Sequence, residues 1–146
     1  REGYSVTIVC YGDGVLEAMK ALPHLLDIGL DPEIIDLVSI NPIDTETIEV
    51  SLVKTDALVI IDMCPFASGV GGNIASLFQV PSVRVACSHT ACPTAPSMSE
   101  AYYPTYHDIV EAVVGVVNDK SITNIAVPNL PTITFDEHNL APQFQF

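Results

Sequence analysis

The glycine-rich stretch "GVGGN" (69–73) has a spacing that could bind a phosphate group. It follows the apolar run "ALVIID" (57–62) and precedes "IASLF", so it lies where a strand gives way to a helix. Backbone N–H groups at a helix N-terminus can hold an anion. A dinucleotide fingerprint, however, needs a third glycine where the chain has Ile74, and no lysine follows as in a phosphate loop. We interpret the stretch as a turn that lets a helix pack closely on a sheet, with anion binding as the alternative.

Asp62 is a second candidate, because it ends the predicted strand that leads into the glycine turn. In open parallel sheets, ligands often bind outside the carboxyl ends of the strands. The competing interpretation is a carboxylate that caps a helix or faces solvent. We favour this second interpretation.

The stretch "CSHTAC" (87–92) gathers Cys87, His89 and Cys92, which are residue types that bind zinc. A structural zinc site needs four such ligands, usually with a paired Cys-x-x-Cys motif. Cys64 is the only obvious fourth ligand, and the sequence has no such pair. The pattern therefore predicts small residues at a strand end, with no metal ligands among them. We expect the four cysteines to be reduced and partly buried.

The remaining nucleophiles and bases form no recognisable catalytic set. No serine lies in a Gly-x-Ser-x-Gly context, and the histidines at positions 24, 89, 107 and 138 have no adjacent nucleophile. The sequence therefore predicts no catalytic, cofactor-binding or metal-binding residues in this chain.

The elements that position these residues alternate between strand and helix. Apolar, β-branched runs predict strands at 5–12, 31–40, 57–62 and 82–87. Helical spacing predicts helices at 13–22 (kinked or restarted at Pro23 and ending at Gly29), 45–55 with Asp44 or Thr45 as cap, 71–79 and 107–120. This alternation predicts an α/β fold: a three-layer, doubly wound, mostly parallel sheet.

In two segments the apolar residues have no regular spacing. A proline-rich loop is predicted between the fourth strand and the last helix, at 88–106. Beyond residue 120 the chain carries prolines and scattered apolar residues. We expect one domain at 1–120 and an extension at 121–146 that lies on the domain or on a neighbour, with one possible strand at 122–127.

The net charge of −13, with only five cations, limits the partners of this 146-residue chain. Phosphate backbones are bound by clustered Lys and Arg, so neither nucleic acid nor an anionic membrane is expected to bind. No apolar run approaches the about 18 residues that span a membrane. A basic protein partner is electrostatically favoured.

Several of these motifs occur together, and in order, in a known family. "SVTIVCYGDGVLEAMKAL", "IDLVSINPIDTETI", the "GVGGNI" turn and "PTAPSMSEAYYPTYHDIVEAV" resemble the C-terminal domain of the transketolase superfamily. They are most similar to the beta subunit of the pyruvate dehydrogenase component of 2-oxoacid dehydrogenase complexes. The resemblance covers residues 4 to about 118, and "GLDPEIIDLVSINPID" is similar to plastid and bacterial forms.

The resemblance implies a function in assembly for a domain without chemistry of its own. In such enzymes, thiamine diphosphate and Mg²⁺ are bound between another domain of the beta subunit and the alpha subunit. The implied partners of this domain are a second beta subunit, the alpha subunit and the subunit-binding domain of the acetyltransferase component. The whole enzyme would decarboxylate pyruvate oxidatively and acetylate lipoamide, in a bacterial cytoplasm, plastid or mitochondrion.

The resemblance also implies a partner interface at the carboxyl edge of the sheet. Its candidate residues are Asp62, Gly69, Gly71, His89, Thr90 and Glu100. The chain departs from the family at this edge: positions 62–63, 66–67 and 89–91 lack the family's glutamate pair, Arg-Thr and Asp-Thr-Pro. Two alternatives stay open: the equivalent domain of transketolase or a branched-chain dehydrogenase, and a non-catalytic protein-binding module.

Overall fold

A computed structural model describes residues 1–119 and two strands of the C-terminal segment, at 132–136 and 139–145. The central sheet has four parallel strands in the order β2-β1-β3-β4. Their bounds are β1 Val6–Cys10, β2 Pro32–Asp36, β3 Leu58–Pro65 and β4 Ser82–Cys87. Five helices accompany them in the described part of the chain: α1 Asp13–Asp27, α2 Thr45–Thr55, α3 Gly71–Leu77, α4 Pro96–Tyr102 and α5 Tyr106–Asn118.

The helices cover both faces of the sheet, which gives three layers. One apolar cluster joins α1 and α5 to the sheet, with Ala18, Leu25 and Ile109 fully buried. A second cluster joins α2 and α3 to the opposite face, around Ile48 and Ile74. Strand β1 is buried at all five positions, as expected for a strand that helices cover on both sides, and its one polar residue, Thr7, is hydrogen-bonded to Ser51 and Thr55 of α2. The predicted three-layer, doubly wound α/β fold is confirmed.

The sequence predicts that Pro23 kinks or restarts the first helix, and the structure has a single helix, α1, on both sides of this residue. The helix continues through this residue to Asp27. A proline removes the hydrogen bond to the carbonyl four residues earlier, here that of Met19. Pro23 and Met19 are both exposed, so this carbonyl lies on the side of the helix that faces water. Ala18, Ala21 and Leu25 on the opposite side are fully buried, and their packing holds the helix together.

The predicted loop at 88–106 contains a helix, α4. Pro96 occupies one of its first positions, where the missing N–H costs no intrahelical bond. The prolines that predicted a loop here include one that begins a helix. Glu100 belongs to α4, but its side chain lies outside the part of the structure that is described.

The other boundaries shift by a few residues. Strand β2 ends at Asp36, whereas the prediction extended it to position 40, and β3 continues beyond Asp62 to Pro65. The predicted cap of α2 is Asp44, whose Oδ1 accepts the Thr47 N–H at 3.0 Å. In the C-terminal segment, β5 (Thr132–Asp136) and β6 (Asn139–Gln145) pair antiparallel. The strand predicted at 122–127 falls outside the described residues.

Replacing Ile60 by alanine tests the layer between the sheet and helices α2 and α3. Ile60 is fully buried on β3 in the second apolar cluster. We expect Ile60→Ala to lower the free energy of unfolding by about 2–5 kcal/mol, through lost burial and the cavity left behind. Urea denaturation followed by circular dichroism measures this change.

Val38→Ala is the matched control, because Val38 is 94% exposed. It should change the free energy of unfolding by less than about 0.5 kcal/mol. Similar losses in the two variants would contradict the assigned core.

Candidate partner interface at the carboxyl edge of the sheet

Asp62 is the centre of the carboxyl edge and is completely buried. Its Oδ1 accepts hydrogen bonds from the Tyr11 hydroxyl at 2.6 Å and from the Cys64 N–H at 3.1 Å. Its Oδ2 accepts the Gly71 N–H at 2.9 Å. One carboxylate therefore joins the residue after β1, the irregular end of β3 and the first turn of α3. The helix-capping interpretation of Asp62 describes this arrangement.

Tyr11 supplies the side-chain donor of this network. Burial raises the pKa of its phenol, and the hydrogen bond to Asp62 and the charge of that carboxylate raise the pKa further. The phenol therefore keeps its proton throughout the physiological range and stays a donor to Asp62.

The glycine turn is shaped by its closeness to Asp62. A Cβ atom on Gly69 would lie 1.8 Å from Asp62 Oδ2, and one on Gly71 would lie 3.1 Å from the same oxygen. Neither glycine has a positive φ, so the requirement is for space and not for an unusual backbone conformation. The glycines thus pack against a buried carboxylate, and a bound phosphate would meet that negative charge. This geometry favours the interpretation as a packing turn.

Arg84 lies on β4 opposite Ile60 of β3 and is only 9% exposed. Its Nη2 donates to the Phe66 carbonyl at 2.6 Å, and its guanidinium lies 4.0 Å from the centre of the Phe66 ring. Nε is buried and has no hydrogen-bond partner among the described residues. Burial lowers the pKa of Arg84, and the charge of Asp62 acts in the opposite direction. A Cβ atom on Gly71 would lie 3.1 Å from Asp62 Oδ2 and 3.2 Å from Arg84 Nε, so two opposite charges lie under the α3 turn.

Phe66 lies between the buried Arg84 and the exposed His89 and contacts both. The His89 ring meets the Phe66 ring edge-on, with the two centres 5.8 Å apart. His89 and Thr90 are exposed, and the Tyr102 hydroxyl donates to the Thr90 carbonyl at 3.3 Å. The loop after β4 is therefore supported from below by an aromatic ring and from α4 by a hydrogen bond.

The predicted interface residues divide into supporting and accessible positions. Asp62 and Gly71 are buried within the chain, where they support the edge from beneath, and their part in an interface stays a prediction. Gly69 is partly buried. His89 and Thr90 are accessible, and their role in an interface stays a prediction, as does that of Glu100.

The cysteines of this edge are free thiols. Burial, together with the nearby Cys64 and Asp62, raises the pKa of Cys87 to about 12. Burial and Asp62 also raise the pKa of Cys64, which is exposed. The Cys92 sulfur lies 3.3 Å from the Tyr103 hydroxyl. Among the residues that the structure describes, no group of three or more His, Cys, Asp or Glu side chains could hold a metal ion.

Tyr11 and Arg84 are residues of this site that no sequence motif marks. A usable signal exists for Tyr11, since it lies near the carboxyl end of one predicted strand, as Asp62 ends another, and such strand ends meet at one edge. Arg84 lies within an apolar strand, where a single cation indicates a buried partner.

The Gly69→Ala variant tests the contact between the turn and Asp62. The added Cβ would overlap the buried carboxylate, so the turn or the Asp62 side chain must move. We expect a loss of about 1–3 kcal/mol in the free energy of unfolding, the usual cost of overpacking. Urea denaturation measures this loss.

Gly72→Ala serves as the control within the same turn. Its nearest contact would be the Arg84 Nη1 atom at 3.3 Å, the far end of a flexible side chain. We expect a smaller loss for this variant. An equal or larger loss would show that contact with Asp62 is not what requires glycine at position 69.

None of the helices in the described part of the chain is both long and apolar enough to cross a bilayer.

Comparison with known proteins identifies relatives of both the sequence and the fold. The family model for "Transketolase, C-terminal domain" matches residues 1–109. The beta subunit of the pyruvate dehydrogenase E1 component of Porphyra purpurea is 34% identical over 84% of this chain, and that of Rickettsia felis is 37% identical over 77%. The beta subunit of acetoin:2,6-dichlorophenolindophenol oxidoreductase from Bacillus subtilis is 31% identical over 84% of this chain.

A solved structure titled "Split gene transketolase, inactive beta4 tetramer" has a similar fold. It superposes with a TM-score of 0.73 and 28% identity, over 82% of this chain and 40% of that one. The chain likewise spans 37–40% of the length of the three relatives named above. The family match covers most of the chain and agrees with the observed fold, so the chain belongs to the family of transketolase C-terminal domains.

Proposed function

We propose that this chain is the assembly and partner-docking domain of a beta subunit of a thiamine diphosphate-dependent 2-oxoacid dehydrogenase, with pyruvate as the substrate. The whole enzyme would decarboxylate pyruvate oxidatively and acetylate lipoamide. The observation that carries this proposal is the identity of 34–37% to beta subunits of pyruvate dehydrogenase from two organisms. These relatives are more than twice as long as this chain, so the catalytic groups are expected outside it.

The arrangement of the glycine turn supports an assembly role over a cofactor-binding one. Thiamine diphosphate carries an anionic diphosphate, which proteins bind with backbone N–H groups, cations and a metal ion. Here the Gly71 N–H is bonded to Asp62, and the nearby cation, Arg84, is buried against Phe66. These residues do not fit a diphosphate, and we propose that the cofactor and its Mg²⁺ are bound elsewhere in the complete enzyme.

The proposed partners are a second beta subunit, the alpha subunit and the subunit-binding domain of the acetyltransferase component. Charge supports the last of these, because a chain of net charge −13 attracts a basic domain at long range. The exposed loop that carries His89 and Thr90 would lie near that contact. The extension at 121–146 would add to the assembly surface. Because the relatives come from both Rickettsia and Porphyra, we propose that the enzyme works in a bacterial cytoplasm or in an organelle.

A second candidate reaction has an observation in its favour. The beta subunit of the acetoin oxidoreductase is 31% identical over 84% of this chain, and the Porphyra subunit covers the same 84% share. The domain could therefore serve an enzyme with a different substrate, and transketolase and branched-chain dehydrogenases are further options. The sequence preceding Arg1 in the natural protein would separate an enzyme subunit from a non-catalytic binding module.

We expect the 146-residue chain not to bind thiamine diphosphate. Calorimetric titration with the cofactor and Mg²⁺ should give no binding heat beyond dilution, because the glycine turn is packed on a carboxylate. A beta subunit of pyruvate dehydrogenase together with its alpha subunit is the positive control. Micromolar binding by the chain alone would overturn the proposed absence of a cofactor site.

We expect the chain to bind an immobilised subunit-binding domain of the acetyltransferase component, with an affinity that falls as salt rises. Salt screens the attraction between the acidic chain and a basic partner. His89→Asp adds a negative charge at the exposed loop and should strengthen binding. Surface plasmon resonance measures both effects.

His24→Asp provides the matched control, since it is the same substitution at an exposed position on α1. It should strengthen binding less than His89→Asp does. An affinity that is indifferent to salt and to the charge at position 89 would rule out docking at this loop.

A further inference from the structure

A pocket lies between the first turns of α1 and the link from α4 to α5. Its volume is about 350 Å³, which is in the range of small-molecule sites. It is lined by two carboxylates, a phenol ring, a thioether and a proline ring, which belong to Asp13, Glu17, Tyr103, Met63 and Pro104. None of these side chains takes part in the hydrogen bonds of the buried Asp62 carboxylate, so the pocket is a separate feature of the carboxyl edge.

Hydrogen bonds hold the two sides of the pocket in place. Glu17 Oε2 accepts the Tyr106 N–H at 3.0 Å, which ties α1 to the first residue of α5. The Thr105 N–H and hydroxyl donate to Asp108 Oδ2 at 2.7 Å and 2.9 Å, so the residue that follows Pro104 is fixed as well. The fold itself therefore forms the pocket.

The charge at the pocket is negative and only partly balanced. Lys20 Nζ lies 2.6 Å from Glu17 Oε1, so the Glu17 carboxylate has both a cation and a backbone donor. The Asp13 side chain has no hydrogen bond or ion pair among the residues that the structure describes. Asp13 lies four residues before Glu17 on α1, a spacing at which two like charges are neighbours and repel each other. A ligand with a positive charge would pair with Asp13 and offset this repulsion.

The other lining residues determine which kind of cation fits. Tyr103 is 41% exposed, and an aromatic ring attracts a cation that lies within about 6 Å of its centre. The contact of its hydroxyl with the Cys92 sulfur, at 3.3 Å, raises the pKa of Tyr103 to about 12, so the ring stays neutral. Met63 and Pro104 add apolar surface that suits a carbon chain. A planar guanidinium can stack on a ring and give a carboxylate two parallel hydrogen bonds, which a compact ammonium group cannot do.

We propose that this pocket binds an alkylguanidinium group, with the Asp13 carboxylate accepting its N–H groups and with Tyr103 and Met63 packing on it. An anion would be repelled here, and a neutral apolar ligand would leave Asp13 without a partner. A free guanidinium compound and the arginine side chain of a partner protein present the same chemistry. The inference goes beyond the proposed docking role, because it needs no partner protein.

Titration of the isotope-labelled 146-residue chain with n-butylguanidinium tests the pocket by NMR. We expect saturable shifts of the amide signals of Asp13, Met63 and Tyr103. The matched compound n-butylurea has a similar shape and no charge, and it should cause no saturable shift. Equal binding of the urea would overturn the proposal, and so would shifts that spread over the acidic surface without saturation.

Asp13→Asn removes the charge and keeps the shape of the side chain. It should weaken the binding of n-butylguanidinium about threefold or more, the scale of a partly exposed ion pair. Asp27→Asn is the matched control, because Asp27 is an exposed carboxylate at the other end of α1. Equal effects at positions 13 and 27 would overturn the pocket, since binding would then follow the net charge of the chain. Tyr103→Leu is a second variant and should also weaken binding, because it removes the ring.

Competition separates the two sources of the guanidinium group. The immobilised subunit-binding domain of the acetyltransferase component is allowed to bind the chain in the presence of saturating n-butylguanidinium, with sodium chloride at the same concentration as the control for screening. Displacement beyond the effect of sodium chloride would support the pocket and identify an arginine of the partner as its occupant. Undisturbed docking, together with saturable binding of the compound, would support a free guanidinium ligand. A domain that never binds the chain would overturn the docking role alone, because the titration with the free compound does not depend on it.

Discussion

The structure of the carboxyl edge of the sheet depends on one buried carboxylate, that of Asp62. An ionised carboxylate without partners is costly to bury, so Asp62 must be met by donors from every side. The donors are the Tyr11 hydroxyl and two backbone N–H groups, with the Arg84 guanidinium nearby. Each donor comes from a different part of the chain, and this single requirement therefore fixes the end of β1 relative to the end of β3 and to the first turn of α3.

Gly69 and Gly71 follow from the same constraint. For the Gly71 N–H to reach Asp62, the turn must come so close that no side chain fits at position 69. A glycine pattern that could bind a phosphate group here encloses a carboxylate. The turn therefore surrounds a negative charge of the protein and is unsuited to bind an anion. The residue at the end of the preceding strand, here Asp62, decides whether the turn encloses a carboxylate or is free to bind an anion.

The sequence predicts the sheet and its layers well, because the buried parallel strands are mostly apolar and helices alternate with them. It is less informative where tertiary packing decides the outcome. A kink or restart at Pro23 leaves open how the helix continues; α1 runs through this residue, since the bond that proline removes faces water while Ala18, Ala21 and Leu25 pack on the other side. The link between Asp62 and Tyr11, 51 residues apart, depends on which strands become neighbours, and no local pattern reports that. The burial of Asp62 likewise depends on this long-range packing, and its predicted part in an interface would be to support the edge from beneath.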